Sequence, residues 1–97
     1  MQIHHKQTEH KGVFYIQPEG EDILAEMIYM KQGNDTLIVE HTEIDEELMG
    51  QNIGYQLVNA MVEYARAHHL KVIPMCPFTN AVIQKKPEFQ DVLADSN

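Results

Sequence analysis

Met49-Gly50-Gln51-Asn52-Ile53-Gly54 is the stretch on which the reading of this 97-residue chain turns. Ahead of it, Thr36-Leu37-Ile38-Val39-Glu40-His41-Thr42 is a β-branched run with strand character, and behind it Ile53, Leu57, Ala60, Met61, Tyr64 and Ala65 recur at three- and four-residue steps. The order is strand, glycine-bearing turn, helix, the helix running from about Gly50 to His68 or His69. Gly50 and Gly54 at such an entry let the backbone come close to a ligand, and the first-turn N–H groups have no partners inside the helix. A turn of this kind holds an anion, usually a phosphate, because amides and helix dipole act together.

Outward from this turn, the first half of the chain reads as a sheet. Residues 1 to 11 are polar and rich in histidine, and His4, His5 and His10 read as a solvated terminus rather than as metal ligands, since nothing nearby supplies a further ligand in fixed geometry. Val13-Phe14-Tyr15-Ile16 reads as a short strand stopped by Pro18 and Gly20. From Ile23 to Lys31 the residues alternate, with Leu24, Glu26, Ile28 and Met30 on one side and Ala25, Met27, Tyr29 and Lys31 on the other. Gln32-Gly33-Asn34-Asp35 then turns this strand into the next as a hairpin. Three antiparallel strands therefore precede the long helix.

The second half continues with a helix end carrying Arg66, His68 and His69, cations placed where the dipole favours them. Leu70-Lys71-Val72-Ile73-Pro74 reads as a strand whose proline removes a ladder donor, so pairing fails near Pro74. Phe78 to Lys86 reads as a helix with Ala81, Val82 and Lys85 on one side, stopped by Pro87 and followed by a helical turn from Glu88 to Leu93. Asp95-Ser96-Asn97 is expected to fray. The acidic run Asp45-Glu46-Glu47 reads as a solvated, helix-initiating turn.

Taken together, these residues resemble a known family. The segment from Glu40 to Leu93 resembles the acyl-CoA-binding half of the GNAT superfamily of N-acetyltransferases, whose phosphate loop reads Arg/Gln-x-x-Gly-x-Gly/Ala. His41-Thr42-Glu43-Ile44-Asp45-Glu46-Glu47-Leu48, the turn itself, Tyr64-Ala65-Arg66, Val72-Ile73-Pro74-Met75-Cys76-Pro77-Phe78 and Lys86-Pro87-Glu88-Phe89 are similar to its smallest, stripped-down subfamily. Met49 stands where the superfamily has Arg or Gln, and Asn52 where it has the central Gly. Asn tolerates left-handed backbone better than other non-glycine residues, and Met49 donates nothing, so the loop is expected to bind through main-chain amides.

The resemblance implies an α+β fold in one domain over residues 1–97: a mixed, mostly antiparallel sheet, a long central helix after the phosphate loop, a shorter C-terminal helix, and a parallel strand pair that splays apart. It implies acetyl-CoA as cofactor and an amine as acceptor. The backbone from Thr42 to Asp45 would run beside the pantetheine arm. The cofactor contacts expected are Ile44, Asp45, Met49, Gly50, Gln51, Asn52, Ile53 and Gly54, with Asn80, Lys85 and Lys86 from the later helix.

Composition sets bounds on this. A formal net charge of −8 and no Lys/Arg cluster disfavour nucleic acid and anionic membrane as partners. The same charge opposes an anionic cofactor at long range, so local bases must overcome it, and Lys85 and Lys86 are the candidates. No apolar run is long enough to span a bilayer, no secretory segment opens the chain, and one cysteine fits a reducing compartment, so a cytoplasmic monomer without metal is expected.

Cys76 and His41 are the candidate catalytic residues. Cys76 falls where the splayed strand gives way to the next helix, and His41 on the neighbouring strand, so the two are expected to be neighbours across the gap. With His41 as base, Cys76 would be either a nucleophile that carries the acyl group or an acid that protonates the CoA sulfur after direct transfer, and the second is favoured. A non-catalytic acyl-CoA-binding module and a thiol sensor are the alternative readings.

Overall fold

The computed structural model describes residues 2–94, so the fraying expected at residues 95 to 97 lies outside the described residues. Strands β1 (His4–Gln7), β2 (Lys11–Ile16), β3 (Ala25–Gln32) and β4 (Thr36–Ile44) form an antiparallel run, and β5 (Lys71–Pro74) joins β4 in parallel, giving the sheet order β1-β2-β3-β4-β5. Helix α1 (Ile53–Ala67) connects β4 to β5, and α2 (Pro77–Lys85) follows β5. A 3-10 turn at Glu46–Leu48 precedes α1 and a second at Pro87–Val92 ends the order of elements. Among the described residues no helix is long and apolar enough to cross a membrane.

Both helices pack on one face of the sheet. Leu57, Val58, Met61, Val62 and Ala65 of α1 lie fully buried against Phe14, Met27, Tyr29, Leu37, Val39 and Val72. Truncating one of the large residues in this layer to alanine costs about 2–5 kcal/mol, which makes α1 the element the core is built on. Arg66, in the last turn of α1, holds the C-terminal segment down. Its Nε and Nη2 donate to Asp91 at 2.9 and 2.7 Å, its Nη1 to Glu63 at 2.7 Å, and Nη2 also to the Glu88 carbonyl. Phe89 and Val92 are thereby kept in the core.

Four strands, not three, precede α1. The N-terminal segment expected to be solvated forms β1, paired with β2 from His4↔Tyr15 to Gln7↔Gly12. The cause lies in the core: Tyr29 is wholly buried, and its hydroxyl, which needs a partner there, finds His5 Nε2 at 2.7 Å. His5 also stacks on Phe14, ring centroids 4.1 Å apart, and meets the edge of Tyr64 at 4.6 Å. A histidine that reads as solvated is thus an aromatic core contact.

Other boundaries moved for local reasons. The long helix begins at Ile53, three residues later than expected, because Gly50 and Asn52 take positive φ values of 82° and 60° and so remain in the loop. The acidic run does not initiate α1: Asp45 accepts from the Glu47 N–H at 2.9 Å and caps the separate turn at Glu46–Leu48. On α2 the buried residues are Thr79 and Ile83, whereas Ala81 and Lys85 are exposed. Cys76 caps that helix and Pro77 is its first residue, which turns the Thr79 side inward.

Candidate functional site

The site begins with a shift of register in β4. Tyr29 pairs with Val39 and Ile28 with His41, so Glu40 has no opposite number and forms a bulge. Before the bulge Leu37 and Val39 face the helices; beyond it Thr42 and Ile44 do, paired with the buried Met27 and Ala25. A one-residue slip moves every later side chain to the other face of a strand. His41, paired with Ile28, is consequently turned away from the helices.

The second feature is an open edge. The β4–β5 ladder ends at Val39↔Pro74, closed by the Cys76 N–H donating to the Val39 carbonyl at 2.9 Å, while β4 runs on to Ile44. Beyond Val39, therefore, β4 is paired with β3 on one side and, among the described residues, has no strand on the other. Pro74 ends the ladder where expected, since it offers no N–H.

Cys76 sits at the closed end of that gap. Its Sγ lies 3.5 Å from Thr42 Oγ1, and Thr42 Oγ1 lies 3.2 Å from the Oγ1 of the fully buried Thr79. Burial by itself pushes the Cys76 thiol up. Hydrogen bonds from the Thr42 hydroxyl and from the backbone and side chain of Thr79, with the Phe78 amide, outweigh it and hold the thiol below its ordinary value. At 5% exposure it is not the accessible thiol a sensor presents.

Adjacent to the gap is a cavity of about 320 Å³ lined by Ile44, Leu48, Met49, Gly50, Asn52, Ile53, Gly54, Tyr55, Phe78, Val82, Lys85 and Lys86. It unites most of the residues expected to hold a cofactor. Asn52, at the N-cap of α1, makes no side-chain bond to the first turn, so no side chain caps the leading amides of the helix. Gly54 lets the Phe78 ring lie directly over the helix start, where a Cβ would come 2.6 Å from Phe78 Cε2 and displace the ring. Among the described residues no Asp or Glu lines this cavity. The donor set, uncapped amides with two lysines, fits a phosphorylated ligand.

Three expected cofactor residues are not on this wall. Asp45 is occupied with its own capping bond, the Gln51 amide donates to the Glu47 carbonyl at 3.4 Å, and Asn80 is exposed and accepts from Gln84 at 3.4 Å. Nor are Cys76 and His41 neighbours: His41 lies on the opposite face of the sheet, its Nε2 3.4 Å from Glu43 Oε1, both side chains more than half exposed. The bulge at Glu40 is the reason. Thr79, which meets Thr42, and Tyr55, which lines the cavity, are not among the residues expected from the sequence, and Thr42, expected there for its backbone alone, brings its hydroxyl to Cys76. Thr79, three residues after Cys76 at a helix start, was the one of these with a spacing signal.

The model of the GCN5-related N-acetyl-transferases matches residues 13–92, and the chain belongs to that family. Transfer of an acetyl group to nitrogen is the activity this membership gives it. Among solved structures, a GCN5-like protein from Staphylococcus aureus is 36% identical over 97% of this chain and 90% of its own, with a TM-score of 0.73. Two more distant structures show the same fold. The ribosomal-protein-alanine N-acetyltransferase of Brucella melitensis biovar Abortus 2308 is 13% identical over 93% of this chain and 66% of its own, TM-score 0.59. AAC(6')-Iy, solved with the bisubstrate analog CoA-S-monomethyl-acetylneamine, is 8% identical over 93% and 66%, TM-score 0.55. No curated protein sequence matches this chain significantly.

Proposed function

We propose that this chain, acting as one domain, uses acetyl-CoA to acetylate an amine, and that transfer is direct. The observation that carries the reading is that the uncapped start of α1 and the far end of β4's open edge, at Ile44, line one cavity, while Cys76 contacts Thr42 further back along that same edge. The bound thioester supplies the activated acetyl group. Main-chain N–H groups of Gly50 and of Asn52 to Gly54 hold the diphosphate, Lys85 and Lys86 offset the repulsion of a −8 chain, and Ile44 backs the pantetheine arm along β4.

Cys76 Sγ, held below its ordinary pKa by Thr42 and Thr79, is the proton donor to the departing sulfur. The acceptor enters from the other face of the sheet, where Glu40, Glu43 and Glu26 favour a cationic amine, and His41, oriented by Glu43, takes its proton. The lone cysteine fits a reducing compartment, and we place the protein in the cytoplasm as a monomer.

The test is release of free CoA from acetyl-CoA with and without a panel of amines, polyamines and lysine-bearing peptides. Release that depends on amine is expected. Binding of acetyl-CoA with no turnover on any amine would leave a binding module and remove the enzyme.

A further inference from the structure

From its N-cap Cys76 to its C-cap Lys86, α2 carries the chain about 15 Å at 1.5 Å per residue. The cavity that starts beside Ile44 therefore finishes on Lys86, so far given only a general electrostatic role, and on Tyr55. Tyr55, one residue past Gly54 on α1, presents its ring to the Lys86 ammonium, which lies 5.1 Å from the ring centroid. The other contact of that ring is the buried Phe89, centroids 5.2 Å apart, which keeps it in place. A cation set over an aromatic face is held without being neutralised, so its positive charge is free for an anion. Among the described residues no carboxylate shares the cavity with it.

CoA carries two separate phosphate groups, the diphosphate and a monoester on the 3'-hydroxyl of its ribose. With the acyl arm along β4 and the diphosphate on the α1 amides, the ribose end would be the part of the cofactor nearest the Lys86 end of the cavity. We propose that Lys86, positioned by Tyr55, binds the 3'-phosphate of CoA and makes this protein discriminate CoA from dephospho-CoA; this rests on the cofactor reading above. Lysine suits the task because a point charge reads a phosphate monoester without needing a planar fork.

The experiment is calorimetric titration of the whole chain with CoA and with dephospho-CoA at low ionic strength. CoA is expected to bind about tenfold more tightly, the scale of one charge-assisted contact, with the ratio shrinking as salt is added. In K86Q both ligands weaken but CoA weakens more, so the ratio falls to near one. In K86R and Y55F the preference survives, and in Y55A it drops. Equal binding of the two ligands by the parent protein overturns the inference, as does a preference that K86Q retains, and both leave the cofactor reading standing. If neither ligand binds, the cofactor reading itself has failed and the inference goes with it.

Discussion

The Tyr29 hydroxyl lies 2.7 Å from His5 Nε2, tying the strand at one edge of the sheet to the most deeply buried phenol in its middle. Burial, with Tyr64 beside it, pushes Tyr29 up to about 12. Burial first, then Lys31 and His68, lowers His5. A base whose pKa is lower folded than unfolded binds fewer protons in the native state, so stability rises with pH through this window. The loss sets in as pH falls through the ordinary histidine value of about 6.5 and grows until the folded value is passed. Denaturant melts of the parent chain and H5L, taken between pH 5 and 8, check this. H5L leaves the Tyr29 hydroxyl without a partner and is expected to lose about 1–3 kcal/mol at pH 8. The difference between the two proteins should narrow toward pH 5; a constant difference would assign the titration elsewhere.

Asn52, at φ 60°, sits in the left-handed region as the last residue before α1. Glycine adopts that conformation freely and a β-branched residue resists it by roughly 1–2 kcal/mol. N52G is therefore expected to match the parent in stability and in CoA affinity. N52V should lose about 1–2 kcal/mol and bind CoA more weakly, because the loop that aims the amides is the part under strain. Paired denaturant melts and CoA titrations decide it, and an N52V chain that keeps full affinity would separate the loop conformation from binding.

How far the residues foretold this arrangement depends on the range of the forces involved. The turn at Gly50 to Gly54, the end of the β5 ladder at Pro74 and the periodic face of α1 are local, set by backbone sterics and by period, and all three stand in the sequence. The bulge at Glu40 is not local. It follows from how β3 and β4 settle their pairing, and nothing in Val39-Glu40-His41 announces it, yet it decides that Thr42 and not His41 meets Cys76. His5 was illegible for a related reason: a polar N-terminal segment becomes a strand only because a tyrosine 24 residues away needs its ring nitrogen. Long-range polar satisfaction leaves no periodic trace.

Gly54 lies beneath the Phe78 ring, and this contact closes one wall of the cofactor cavity. A methyl group there overlaps the ring, but Phe78 is 42% exposed, so the ring can swing off Gly54 toward the cavity it lines. G54A is expected to cost about 1 kcal/mol or less in stability, at the low end of overpacking. Its larger effect should be on CoA binding, as the displaced ring enters the cavity. The companion change F78A restores the space. If the double variant G54A/F78A binds CoA no better than G54A alone, the ring is not what obstructs the site.

Cys76 and His41 lie on opposite faces of the strand pair, and that separation makes their roles distinguishable. A proton donor on one face and a base on the other act on different groups, one on the departing sulfur and one on the amine. C76A is expected to slow transfer by about 10²–10³-fold, within or below the usual range for one acid–base group, with CoA affinity nearly unchanged. C76S keeps a hydroxyl near Thr42 and should recover part of that rate. H41A should lose rate with poorly activated amines and little with amines already neutral at the assay pH. Intact mass after exposure to acetyl-CoA without acceptor tests the direct route: a stable acetyl group on Cys76 would convert the scheme into one that passes through an acyl-enzyme. If C76A and H41A both transfer at the parent rate, neither side chain handles a proton, and the catalysis resides in the alignment that α1 and the open edge of β4 impose on the two substrates.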